Sequence, residues 1–150
     1  MKRLYLAGAI SADPETQDWR KYVVKRLGDT FEVDNPAMSK FDKEAYKEGK
    51  EDPEGFYKKQ LGKNAEIFLP KSYQAVAKCD IFLVNLLIDP PGHAGHIMEL
   101  AWAWQLHKTI IAIRGEGFLS NHPMVRSCVN AWAEDEEEAC DIIRMFFGKR

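Results

Sequence analysis

Short apolar runs that alternate with helical patterns are the feature that most limits how this 150-residue chain can fold. The strongest run lies within 80–86, where Ile81, Phe82, Leu83 and Val84 follow one another. An uninterrupted apolar run is typical of a strand that is buried on both faces of a parallel sheet. The alternation therefore predicts an α/β fold, a sheet of about five parallel strands with helices on both faces. The predicted strands are 4–7, 31–33, 80–86, 109–113 and 128–132, and the predicted helices are 13–27, 64–78, 97–104 and 139–146.

The loops that follow the first three predicted strands are the expected ligand site. In such a sheet, ligands bind beyond the carboxyl ends of the strands, at the point where the strand order reverses. Within these loops Asp34, Asn85 and Asp89 are polar side chains placed to contact a ligand. The loops that are expected to meet there are 8–13, 34–36 and 85–96.

Composition and charge narrow the functional classes. The length fits a single domain, 1–150, and 45% hydrophobic with 29% charged residues is ordinary for a globular protein. A net charge of -2 argues against binding to a nucleic-acid polymer, which needs clustered basic residues, but not against a nucleotide. Three scattered cysteines suit a reducing compartment, and we find neither a signal peptide nor a membrane-spanning apolar run. These features predict a cytoplasmic protein with no membrane partner.

Residues 37–63 differ from the rest of the chain because they are dense in charge and contain Gly49, Pro53 and Gly55. Two interpretations stay open: a solvated surface excursion with a short helix, or a lid over the site. A lysine-rich lid would suit a phosphorylated ligand.

The segment GHAGHIMELAWAW, 92–104, holds His93, His96 and Glu99 at successive spacings of three. A metal site is disfavoured, because zinc-binding histidines on one helix face prefer a spacing of four. The histidines can instead satisfy backbone groups near a helix start. Glu99 needs a partner or a function, since it lies in a largely apolar helix. We expect the helix dipole to keep it ionised. An ionised carboxylate in an apolar cleft suits glycosidic cleavage, which passes through an oxocarbenium-like state.

The helix that carries Glu99 is apolar on more than one side. Met98 and Trp102 lie off the predicted core-facing side. A helix that is apolar most of the way round is usually buried on two sides. The second buried side predicts contact with another subunit, and hence a homo-oligomer. The core-facing side is predicted to hold Ile97, Leu100, Ala101 and Trp104.

Six segments in order along the chain carry a family resemblance. They are LYLAGAIS at 4–11, Asp34-Asn35-Pro36, AVAKCDIFLVNL at 75–86, GHAGHIMELAWAW at 92–104, HKTIIAI at 107–113 and NHPMV at 121–125. Together they resemble the nucleoside 2-deoxyribosyltransferase family, with the related 2'-deoxynucleoside 5'-monophosphate N-glycosidases. The resemblance implies a flavodoxin-like (Rossmann-like) three-layer sandwich, assembled as a dimer or an assembly of dimers.

The resemblance also implies roles for individual residues. Glu99 matches the nucleophile that attacks the anomeric carbon, and Tyr5 matches a tyrosine that hydrogen-bonds this carboxylate. The other implied positions border the sugar and base (Gly8, Ile10, Ser11), face the sugar 5' end or its phosphate (His93, Gly95), or reach a neighbouring subunit's site (Asn121 to Met124).

Three positions depart from the family pattern. Ser72 stands where relatives carry an aspartate that helps to handle the leaving base or the sugar. His96 replaces the usual threonine, and His93 stands where phosphate-using relatives place serine. A histidine there can bind a 5'-phosphate or protonate a departing base.

The implied substrate is a 2'-deoxynucleoside or its 5'-monophosphate, and the implied reaction transfers the deoxyribosyl group to a free nucleobase. No metal or organic cofactor is expected, because the carboxylate and the binding geometry can carry the reaction. Two alternatives stay open: hydrolysis, with water as the acceptor, and a nucleotide-binding sensor in which Glu99 merely grips a ribose.

Overall fold

The computed structural model of the chain describes residues 1–9, 18–36, 69–87 and 94–149. These residues form a parallel five-stranded sheet in the order β2-β1-β3-β4-β5, with helices on both faces. This confirms the predicted three-layer α/β architecture, and the strand order is that of flavodoxin-like sheets. The strands are β1 (Arg3–Gly8), β2 (Glu32–Asp34), β3 (Ile81–Asn85), β4 (Thr109–Ile113) and β5 (Ala131–Ala133). The helices are α1 (Asp18–Leu27), α2 (69–78), α3 (Gly95–Gln105), α4 (Phe118–Asn121), α5 (Pro123–Cys128) and α6 (Glu136–Phe147).

The two faces of the sheet bury two separate apolar clusters. Because side chains alternate along a strand, β1 sends Leu4 and Leu6 into one cluster and Tyr5 and Ala7 into the other. The first cluster is closed by α1 and α6, and the second by α2, α3 and α5. Tyr5 and the helix that carries Glu99 therefore lie on the same face of the sheet.

The strand order reverses between β1 and β3, and their carboxyl ends meet at Gly8 and Asn85, which pair in register. Gly8 has a φ of 157°, and an added Cβ would lie 3.1 Å from the Trp19 ring and 3.4 Å from the Asn85 Cβ. Glycine at this position therefore allows the end of β1 to pack closely against Trp19 and Asn85. Gly8, Asn85 and the end of β2 at Asp34 lie at the edge of the sheet where the ligand site was predicted.

The buried side of α3 differs from the prediction. It holds His96, Leu100 and Ala103, whereas Ala101 is exposed and Trp104 is 58% exposed. The predicted stripe with Ala101 and Trp104 was wrong because this helix carries apolar residues on all sides. Hydrophobic spacing alone could not fix its rotation.

Two predicted strand boundaries were also wrong. Cys128 ends α5, and β5 begins only at Ala131. The side chain of Asn130 accepts a hydrogen bond from the backbone N–H of Ile110 at 2.8 Å, which marks where the last strand joins the sheet. The second strand is displaced by one residue, to 32–34, because Phe31 is buried in the turn that precedes it. The predicted helix starts at 13–17 and 64–68 and the excursion 37–63 lie outside the described residues.

Among the described residues, no helix is both long and apolar enough to cross a membrane.

Candidate active site

Tyr5 and Glu99 form the centre of the site. The Tyr5 hydroxyl donates a hydrogen bond to Oε2 of Glu99, which joins β1 to α3 across 94 positions of sequence. Tyr5 is 2% exposed, and its ring stacks on Phe82 of β3 with centroids 5.7 Å apart. The structure thus brings together the two residues that the resemblance paired, and it fixes the tyrosine rigidly beneath the carboxylate.

Burial dominates the protonation of Glu99. Removal from water raises the pKa of Glu99 from 4.5 to about 7, while the Tyr5 hydrogen bond and the charge of Arg20 lower it and the Asp34 charge raises it. We expected the helix dipole to keep this carboxylate ionised. That expectation was wrong, because burial has the larger effect on the pKa of Glu99. Glu99 is the fifth residue of α3, beyond the first turn in which the dipole acts strongly. Near neutral pH the acid and the carboxylate forms are both populated.

Tyr5 acts only as a donor in this pair. Burial raises the pKa of its hydroxyl far above the usual value, and the negative charge of Glu99 raises it further. The phenol therefore keeps its proton, and one oxygen of Glu99 is held by it.

Asp34 places a second carboxyl group beside this pair. It ends β2 and pairs in register with Tyr5, so both side chains project from the same face of the sheet. Partial burial raises the pKa of Asp34, and the charges of Lys71 and Arg3 lower it. A cavity of about 260 Å³ adjoins Asp34 between β2 and α2. Its lining residues are Arg3, Glu32, Val33, Asp34, Ala75, Lys78 and Cys79.

Asn85 shapes the end of β3. Its side chain is buried, and Oδ1 accepts a hydrogen bond from the backbone N–H of Leu87 at 2.8 Å. This local turn follows the last residue of β3, which pairs in register with Gly8. Its contact with a ligand stays a prediction.

Gly95 and His96 begin α3 and differ in their exposure to solvent. Gly95 is exposed, and a Cβ added there meets no described atom within 4 Å, so protein packing does not require glycine. His96 is 3% exposed on the core side of the helix. This burial favours a packing role, and the predicted contact of His96 with a phosphate or base is untested.

Other predicted positions lie farther along the fold or outside the described residues. Asn121 ends α4 and donates from Nδ2 to the Gly117 carbonyl oxygen at 3.0 Å, and Met124 on α5 is 75% exposed. Ser72 lies half-buried on α2. The predictions that these three contact substrate, two of them across a subunit interface, are untested. Ile10, Ser11, Asp89 and His93 lie outside the described residues.

Metal-binding geometry is not found in the part of the chain that the structure describes. No three His, Cys, Asp or Glu side chains of those residues are grouped closely enough to hold an ion.

Sequence reasoning missed Arg20. This side chain is 1% exposed and donates to the carbonyl oxygens of Leu6 and Gly8 at the carboxyl end of β1. A signal was present, because Arg20 falls at helical spacing with Val23 and Leu27 on the apolar side of the first helix. An arginine on such a side is rarely buried without strong partners.

Comparison with known proteins places the fold. No family model matches the chain, and no curated protein matches it either. Among solved structures, the chain is similar to the CMP N-glycosidase BcmB of Clostridium botulinum, with a TM-score of 0.55 and 18% identity. The alignment covers 97% of this chain and 100% of that one. At this level of identity the likeness establishes a shared fold.

Proposed function

We propose that this protein cleaves the N-glycosidic bond of a 2'-deoxynucleoside or its 5'-monophosphate and transfers the deoxyribosyl group to a second nucleobase. The observation that carries the proposal is the hydrogen bond from Tyr5 to Glu99, beside the carboxyl end of β2. Two further facts support it: the ordered motifs that resemble the deoxyribosyltransferases, and a fold shared with a CMP N-glycosidase.

Glu99 is the nucleophile in this proposal. Its carboxylate attacks C1' from the face opposite the base, the C1'–N bond breaks, and the base leaves with a proton. A glycosyl ester of Glu99 remains. A second base then attacks C1' from the vacated face, which releases the carboxylate and restores the original configuration. Deoxy substrates are favoured because the missing 2'-hydroxyl makes the oxocarbenium-like state easier to form.

Tyr5 orients the nucleophile. Its hydroxyl binds Oε2 of Glu99, which leaves Oε1 to attack. Because the tyrosine is buried and stacked on Phe82, it holds the carboxylate before substrate arrives, and this reduces the cost of ordering it. Only the ionised form of Glu99 can attack, so its pKa of about 7 predicts turnover that rises between pH 6 and 8.

Asp34 is our candidate for the group that protonates the departing base. Ser72 is a far weaker acid than a carboxyl group, whereas Asp34 pairs in register with Tyr5 and burial raises the pKa of its carboxyl group. We expect an Asp34→Asn variant to lose more activity with a poor leaving base than with a base that leaves without protonation.

Hydrolysis is the second candidate, favoured by one observation. The similar solved structure is described as a glycosidase, in which water would be the acceptor. Glu99 and Tyr5 would act in the same way in the first half of either reaction. The two candidates differ only in what attacks the glycosyl ester.

The deciding experiment is chromatography of the protein incubated with deoxynucleosides and with their 5'-monophosphates, with and without a second base. We expect exchanged product only when the second base is present. Free base without an acceptor would establish hydrolysis. Tight binding with no product of either kind would refute catalysis and leave a nucleotide sensor.

Detection of the covalent intermediate tests directly whether Glu99 is the nucleophile. Mass spectrometry of acid-quenched mixtures should find one deoxyribosyl group on the peptide that contains Glu99. Glu99→Gln should abolish the adduct and nearly all turnover while substrate binding persists. Glu116→Gln, which changes an exposed carboxylate after β4, is the matched control and should keep both.

A further inference from the structure

Arg20 is buried at the edge of the candidate site. Although it lies on α1, it is 1% exposed, and its guanidinium packs 4.9 Å from the ring centroid of Trp19. Nη1 donates to the Leu6 carbonyl oxygen at 2.7 Å, and Nη2 donates to the Gly8 carbonyl oxygen at 3.0 Å. Nη1 also donates to Oδ1 of Asn35 at 3.2 Å. Leu6 and Gly8 lie in the last three residues of β1, and Asn35 follows the last residue of β2.

The sheet itself explains why an arginine is needed there. The backbone N–H of Glu32 donates to the Lys2 carbonyl oxygen, and the register of β1 and β2 continues this series in steps of two residues. The donor that would face the Leu6 carbonyl oxygen is residue 36, which is a proline and has no N–H. Arg20 supplies the missing donor to Leu6 and also donates to the carbonyl oxygen of Gly8. A buried carbonyl without a donor would be costly.

The same guanidinium brings a positive charge to the Tyr5–Glu99 pair. Its charge lowers the pKa of Glu99 and also that of Tyr5. Among the described residues, the other ionisable groups that act on Glu99 are Tyr5 from β1 and Asp34 from β2. The buried His96 lies one turn earlier on α3. Tyr5 donates a hydrogen bond to the carboxylate, whereas the charge of Asp34 disfavours the ionised form of Glu99.

We propose that Arg20 is a positioning residue of this site, which fixes the carboxyl ends of β1 and β2 and holds a buried positive charge there. The inference rests on the proposed function for its kinetic consequence. The effect on the ionisation of Glu99 holds whether or not the protein cleaves a nucleoside.

The effect of the Arg20 charge on the ionisation of Glu99 is tested without an activity assay. Protein with ¹³C-labelled glutamate side chains is titrated by NMR, with Glu99→Gln to assign the Glu99 signal. Arg20→Gln removes the charge but keeps one donor, and we expect it to move the midpoint of Glu99 upward by about 1 pH unit. Arg26→Met is the matched control, because Arg26 lies on the same helix and pairs with Asp141 at 3.2 Å. It should leave the midpoint unchanged.

The positioning is tested by kinetics of Arg20→Lys, which keeps the charge but not the fork of donors. We expect its pH profile to match the wild type while KM rises about tenfold and kcat falls less. Thermal melts establish that each variant is folded. If Arg20→Gln does not fold, a wild-type KM in Arg20→Lys alone overturns the positioning.

A Glu99 midpoint in Arg20→Gln equal to that of the wild type, or an equal shift in Arg26→Met, would show that the Arg20 charge does not act on Glu99. A wild-type KM in a folded Arg20→Lys variant would overturn the positioning. If wild-type protein cleaves no nucleoside, the proposed function fails, but the NMR titration still decides whether Arg20 controls Glu99.

Discussion

Replacing Glu99 by glutamine should make the protein more stable at alkaline pH, because it removes a carboxylate that folding forces out of water. Glutamine has nearly the same shape, and its carbonyl oxygen can still accept the hydrogen bond from Tyr5. The substitution therefore isolates the cost of the buried charge.

The magnitude follows from the pKa of Glu99, which burial raises from 4.5 to about 7. A raised pKa means that the folded protein binds the proton more tightly than the unfolded chain. The contribution of Glu99 to wild-type stability is therefore largest at low pH and is lost as pH rises from about 4.5 to about 7. Between pH 5 and pH 8 this linkage amounts to roughly 2 to 3 kcal/mol, and the Glu99→Gln variant should not show this loss of stability.

Urea unfolding of both proteins at pH 5 and pH 8 measures the difference. The free energy of unfolding of the wild type should fall by roughly 2 to 3 kcal/mol more than that of the variant. Glu116→Gln controls for the loss of a surface negative charge. If wild type and Glu99→Gln respond to pH in parallel, the carboxylate is hydrated in the folded protein and the reasoning about burial is wrong.

Three further outcomes are expected. Tyr5→Phe should reduce kcat/KM by roughly 30-fold, since a hydrogen bond to a charged group contributes about 2 kcal/mol, and steady-state kinetics would show whether it does. Gly8→Ala should destabilise the fold by about 2 kcal/mol in urea melts, because its Cβ would approach the Trp19 ring to 3.1 Å, whereas Gly95→Ala should not. Trp104→Glu should shift any oligomer toward monomer in sedimentation experiments, and an unchanged mass would contradict an interface on α3.

The layers of the fold could be predicted from the sequence because strands buried on both faces produce continuous apolar runs. The run at 81–85 and the run at 109–113 both became central strands. Short edge strands carry less information, and so the limits of β2 and β5 were misplaced. The rotation of α3 was also misjudged, since a helix with apolar residues on every side offers several equivalent stripes.

The site was partly predictable for a different reason. Glu99 drew attention as a carboxylate in an apolar helix, and the resemblance supplied Tyr5 as its partner. The protonation of Glu99 could not be predicted, because it depends on the depth of burial, which sequence does not give. Arg20 was missed because its role depends on Pro36, and the link between them exists only through the register of β1 and β2.

The two outer strands have a consequence for how copies of this protein can associate. Within the described residues, β2 and β5 are three residues long each. A neighbouring molecule that extended the sheet along either border would gain only two or three backbone hydrogen bonds, too few to hold a complex. Within the described residues, a lasting assembly is therefore expected to use side chains on helices, where Met98 and Trp104 present 45% and 58% of their surface to solvent.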